Sequence, residues 1–142
     1  MTYSMLVYLS RKPGTTPEHF KDYYNNKHMP LYRQLAGPHA PALHVQQYID
    51  RAAGAGAGAG DGATPRNPST PARVLLGGQA DFDYDVVVTI DYADEAAFRA
   101  HYEFITRPDV AATIATDEER FLDRSQTRCV LLGERIVSGP GR

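Results

Sequence analysis

Residues 3–10 are apolar at nearly every position and rich in strand formers, and the run stops at Lys12-Pro13-Gly14. A strand written this way is buried on both faces. The chain has 142 residues, room for one domain (1–142) with a two-layer core. Helices laid on one side of a sheet leave its other side bare. An apolar bare side needs a second cover, and a second copy of the chain is the simplest one. A homodimer is therefore expected from the strand pattern alone.

The rest of the chain supplies the helices. Thr15-Thr16-Pro17-Glu18 offers a threonine cap, a proline in the first turn and an early glutamate, all suited to the unpaired N–H groups of a helix start. Phe20, Tyr24, Leu31 and Leu35 then form one stripe, with His28 inside it. Pro30 lacks an N–H and biases Met29 away from helical geometry, so the helix should kink or restart near His28 and leave the Asn26 carbonyl without its usual donor. Gly37-Pro38 closes the helix. Residues 42–49 alternate, Leu43, Val45, Gln47 and Ile49 against His44, Gln46 and Tyr48, as a two-faced strand does.

Residues 51–78 contain the run from Gly54 to Gly60 and clusters of Pro, Ser and Thr, a composition of mobile loops that is able to serve as a lid. A third strand follows over 84–91, with Val86, Val88 and Ile90 on one face. Asp94 and Glu95 open a helix carrying Ala97, Phe98, His101, Tyr102 and Ile105, and Arg107-Pro108 breaks it. A further helix over 108–122 places Asp117 on the stripe of Val110, Ile114 and Phe121, and 127–135 is the fourth strand. The order is that of a ferredoxin-like βαββαβ unit of the α+β class, a four-stranded antiparallel sheet with helices on one face.

Several function classes lose support here. The formal charge is −2 with no Lys/Arg block, so nothing favours nucleic acid or an anionic membrane. The one cysteine, Cys129, lies in an apolar run where a buried structural thiol is expected. The N-terminal apolar stretch is too short to span a bilayer and lacks signal-peptide features, so a cytoplasmic protein is expected. The five histidines show no metal-binding spacing. No Gly-rich nucleotide fingerprint or G-x-S-x-G elbow occurs either, so neither metal nor cofactor is expected.

The run LVYLSRKPGTTPEHFKDYYNNKHMPL, with its Lys12-Pro13-Gly14 turn and His28-Met29-Pro30 element, resembles the start of the EthD-like family of the dimeric α+β barrel superfamily. YDVVVTIDYADEAAFRA is similar to the third strand and second helix of fungal members, and DEERFLDRSQTR to their closing segment. The Gly-Ala insertion departs from the family's shorter connection. The resemblance implies a dimeric α+β barrel and a cofactor-free enzyme that tailors aromatic polyketides as a decarboxylase or dehydratase. Superfamily relatives also include cyclases, isomerases, monooxygenases and proteins without demonstrated catalysis.

His28 is the first catalytic candidate, because an imidazole is the simplest metal-free acid or base near neutral pH. The plain alternative is a helix-terminal histidine bonding the Asn26 carbonyl. Asp117 is the second, since a carboxylate on an apolar stripe must be paired or protonated; a salt bridge to Arg120 or Arg124 explains it equally. Tyr24, His44, Tyr48 and Tyr102 are substrate-binding candidates, able to orient an oxygen or wall a planar ring. Core packing or edge exposure is the competing account of all four. The expected activity is a cofactor-independent lyase on an aromatic or polyketide-derived small molecule, foremost a decarboxylase of a β-keto or hydroxyaryl acid. Dehydration, cyclisation or isomerisation of a related polyketide is the alternative, and a non-catalytic dimeric small-molecule-binding protein comes from a different class.

Overall fold

The computed structural model describes residues 2–52 and 64–140. Its sheet has four strands, β1 (Tyr3–Leu9), β2 (Leu43–Tyr48), β3 (Val86–Tyr92) and β4 (Arg128–Leu132), in the order β2-β3-β1-β4. Every pairing is antiparallel. This is the α+β, ferredoxin-like arrangement that the strand and helix order implies. The two most apolar strands, β1 and β3, are the central ones, with Val7 opposite Val88 and Leu9 opposite Val86.

Helix α1 (Pro17–Tyr23) starts as its sequence dictates: the Thr16 hydroxyl accepts the His19 N–H at 3.1 Å. The chain then passes through a π-helical turn, Tyr24–His28, into α2 (Met29–Ala36). The Met29 N–H donates to the Tyr24 carbonyl, five residues back, and Pro30 has no N–H with which to continue the ladder. Met29 itself stays helical, at φ −64° and ψ −41°, contrary to the bias expected before a proline. The interruption is a widened turn rather than a break. The extra residue also re-phases the stripe, which runs on through His28 and Met29 to Ala36; Leu31 and Leu35 are only half-buried. Gly37, at φ +51°, ends the helix in a conformation that favours glycine.

Helices α3 (Glu95–Ile105) and α4 (Pro108–Glu118) complete the layer, α3 capped by Asp94, whose carboxylate accepts the Ala97 N–H at 2.8 Å. Helix α4 stops short of the expected 122, and the following turn drops Phe121 and Leu122 into the core. There they join Val7, Leu9, Phe20, Tyr24, Met29, Val86, Val88, Ile90 and Tyr92. Strand β4 is an edge strand exposed along its length, so Cys129 is exposed and not the buried thiol its apolar neighbours suggest. On the helix-free face Leu43, Val130 and Leu132 are 51%, 55% and 42% exposed. No helix among the described residues is long and apolar enough to cross a membrane.

The Gly-Ala run of the expected loop lies outside the described residues. Within 64–72 several side chains are held by hydrogen bonds, whereas Leu75 and Leu76 are almost fully exposed. Asn67 is 1% exposed and accepts from Arg11 Nη1 at 2.7 Å, and its own amide donates to Asp83 at 2.6 Å. Arg11 Nη1 also reaches Asp85 Oδ1 at 2.6 Å, while the Arg11 backbone N–H donates to Asp85 Oδ2 at 2.7 Å. Arg51 joins them, donating to the carbonyls of Thr70, Phe82 and Tyr84. This buried polar clasp ties 64–72 to the end of the sheet.

Candidate active site

Between the helix layer and the sheet lies a cavity of about 250 Å³, a little below the usual size of ligand pockets and suited to a small molecule. Its floor is Met5, Val7, Val88 and Ile90, and its walls include Tyr24, His28, Met29, Tyr32, His101 and Phe121. A larger depression of about 740 Å³ lies beside α1, lined by Lys21, Gln46, Tyr48 and Arg51 among others. It contains no histidine. The smaller cavity is the chemically equipped one.

The widened turn ends on His28, which it directs inward under the helix, where the residue is 6% exposed. Its Nδ1 lies 2.8 Å from Asp117 Oδ2, and the other carboxylate oxygen accepts from the Tyr23 hydroxyl at 2.7 Å. A carboxylate at Nδ1 fixes the ring's tautomer and orientation. Among the described residues Nε2 has no hydrogen-bond partner, and the ring belongs to the cavity wall. The Phe121 ring packs against it with centroids 4.9 Å apart. The structure thus brings His28 and Asp117 together, with His28 on Asp117 rather than on the Asn26 carbonyl. Asp117 sits behind the imidazole, outside the cavity lining, where it acts as a positioning group.

Of the four binding candidates, three line the cavity. Tyr24 is buried and its hydroxyl lies 3.3 Å from His44 Nε2; burial holds the Tyr24 phenol well above its ordinary pKa. Burial, followed by the neighbouring His28, lowers the His44 pKa. Tyr102, 54% exposed and stacked on Phe98, stands at the margin. Tyr48 lies elsewhere. It points the same way as His44 but four residues further along β2, about 13 Å at the rise of a strand, and there packs on Phe20 in the other depression. Burial pushes its phenol up to about 12.

Three contributors were not singled out in the sequence. Tyr23 holds Asp117 from 94 positions away. Glu118 follows Asp117 and reaches the cavity, where burial raises its pKa against the pull of His28 and Arg124. Tyr32 meets His101, which Tyr92 contacts from behind; its place at four residues beyond His28 marks it once the widened turn is known. Arg124 pairs with Glu118 at 3.3 Å, leaving Asp117 to His28. No group of three or more His, Cys, Asp or Glu among the described residues is arranged to hold a metal ion.

A family model described as the EthD domain matches residues 12–125, a span that takes in both His28 and Asp117. The chain belongs to the EthD domain family. Among solved structures this EthD domain is similar to an ethyl tert-butyl ether D (EthD) family protein from Bacillus halodurans C-125, with 15% identity and a TM-score of 0.50 over 94% of this chain and 99% of that one. It is also similar to an EthD-like protein from Ralstonia eutropha JMP134, with 18% identity and a TM-score of 0.51 over 99% and 97%. At such identities the likeness is one of fold alone, the α+β fold with its four-stranded antiparallel sheet. A search of curated proteins finds no match.

Proposed function

We propose that this EthD domain is a cofactor-independent lyase that decarboxylates a small hydroxyaryl or β-keto acid of polyketide type. The observation that supports it is the 2.8 Å contact of His28 Nδ1 with Asp117, on a ring whose other nitrogen has no partner among the described residues and lies in the wall of a mostly apolar cavity. In the proposed reaction Nε2 takes the proton of the substrate acid, and Asp117 stabilises the resulting imidazolium. In a β-keto acid the bond from carbon to the carboxyl group breaks, its electron pair moves into the enolate, and carbon dioxide leaves; in a hydroxyaryl acid Nε2–H first protonates the ring carbon, and the pair of the breaking bond then restores the aromatic ring as carbon dioxide leaves. In the β-keto case Nε2–H returns the proton to carbon after the cleavage. The apolar walls keep water away from the intermediate.

Mass analysis of products from a panel of hydroxyaryl and β-keto acids tests the reading. Loss of carbon dioxide supports it, whereas loss of water or an unchanged mass assigns dehydration or isomerisation to the same imidazole. Binding without any turnover would make the domain a binding protein. Asp117→Asn keeps the shape but removes the charge behind the ring. It is expected to lower kcat about 10- to 100-fold, the equivalent of one charge-assisted hydrogen bond, with KM little changed.

We also propose that the bare sheet face pairs with a second copy. Leu6, Tyr8, Val87 and Val130 alternate with the core residues of their strands and so share that face, where helix cover is absent. Light scattering should give twice the chain mass for the wild type and a single chain mass for Leu6→Glu/Val130→Glu. A wild type of single mass removes the proposal.

A further inference from the structure

We propose that Tyr32 is the oxyanion donor of the cavity, its hydroxyl proton aimed at the ligand by a relay of Tyr92 and His101 behind it. His101 is 1% exposed and is bonded through both ring nitrogens, Nδ1 to the Tyr92 hydroxyl at 2.7 Å and Nε2 to the Tyr32 hydroxyl. Burial, with the nearby His39, lowers its pKa to about 4, so the ring is neutral at ordinary pH. A neutral imidazole donates through one nitrogen and accepts through the other. Two orderings of the relay exist.

In the first, Nδ1–H donates to the Tyr92 oxygen. Tyr92 is itself 1% exposed, and its own O–H then has no acceptor among the described residues, a state that folded proteins avoid. In the second, the Tyr92 O–H donates to Nδ1, which places the ring proton on Nε2. That N–H donates to the Tyr32 oxygen. Tyr32 is only half-buried and lines the cavity, so its freed O–H meets a ligand or solvent there. The second ordering leaves no buried group unsatisfied. Burial also raises the pKa of both phenols, which therefore keep their protons.

The Tyr32 and His28 rings have centroids 6.2 Å apart, so one small ligand touches both. The class that fits carries an oxygen that becomes anionic close to the carbon that His28 protonates, as in an ortho-hydroxyaryl acid or a β-keto acid. The carbon chemistry rests on the proposed lyase reading. The oxygen donor does not.

The test is equilibrium binding of 4-nitrophenolate and of neutral, similarly shaped nitrobenzene. Tyr32→Phe is expected to weaken 4-nitrophenolate about 10- to 100-fold, the worth of a hydrogen bond to a charged group, and to leave nitrobenzene unchanged. Tyr92→Phe, which leaves the Tyr32 hydroxyl in place, should weaken 4-nitrophenolate several-fold by releasing the tautomer and leave nitrobenzene unchanged. Equal losses for both ligands in Tyr32→Phe reduce Tyr32 to packing and overturn the proposal, as does the absence of saturable 4-nitrophenolate binding to wild type. A series of substituted phenolates on the wild type alone supplies the same decision if a variant fails to fold: affinity should rise with phenolate basicity, and a flat series overturns the donor. Phenolate discrimination with no turnover of any acid sinks the lyase reading and leaves this one standing.

Discussion

Replacing His28 by alanine is expected to lower kcat for decarboxylation by roughly 10²- to 10⁴-fold, the range that a positioned acid–base group supplies. Among the described residues no neighbour is placed to take over. The His44 imidazole is engaged by the Tyr24 hydroxyl, and burial disfavours its charged form. Glu118 reaches the cavity but is held by Arg124. KM should change far less than kcat, because Met29, Ile90 and Phe121 still wall the site. The vacated space fits an imidazole molecule, so added imidazole should restore part of the rate. That rescue separates a missing proton carrier from a collapsed cavity, and undiminished turnover in His28→Ala removes the residue from the mechanism.

The parts of this fold that depend on near neighbours in sequence were legible there. Thr16 and Asp94 cap their helices with groups three residues away, and the alternation of Val86, Val88 and Ile90 is a local property of one strand. Pro30 announced an irregular helix beside His28, but only the backbone shows that the irregularity is a widened turn. That one inserted residue shifts the buried stripe from Leu31 and Leu35 to Met29 and Ala36, a change of phase that composition does not encode. The pairing of His28 with Asp117 spans 89 positions and depends on how α4 lies against the π turn. Cys129 was misjudged for a related reason: its neighbours are apolar, yet exposure is decided by the strand's place at the edge of the sheet.

The least legible feature is also the one whose loss should cost most stability. Asp85 alternates with the core side of β3 and reads as a solvent-facing residue, yet its side chain is 3% exposed. It faces two arginines whose side chains are each 6% exposed: Arg11 at 2.6 Å and Arg51, whose Nε lies 3.8 Å away with no hydrogen bond of its own. Asp85 is thus the carboxylate in closest contact with both cations, with Asp83 acting on Arg51 from further off, and it is the main group that makes their burial tolerable. Asp85→Ala leaves both guanidinium groups buried beside each other without the carboxylate they share, a defect of about 3–5 kcal/mol, or roughly 10–15 °C in Tm for a chain of this size. Asp85→Asn, which can still accept from Arg11 but carries no charge, should fall between. The damage ought to reach the cavity as well. Arg11 bridges to Leu122, and the Lys12 N–H donates to the Phe121 carbonyl at 2.8 Å, so the clasp anchors the turn whose Phe121 ring backs His28. Thermal melts of the three proteins decide the matter, and an Asp85→Ala variant that melts within a degree or two of wild type would show that solvent reaches both arginines after all.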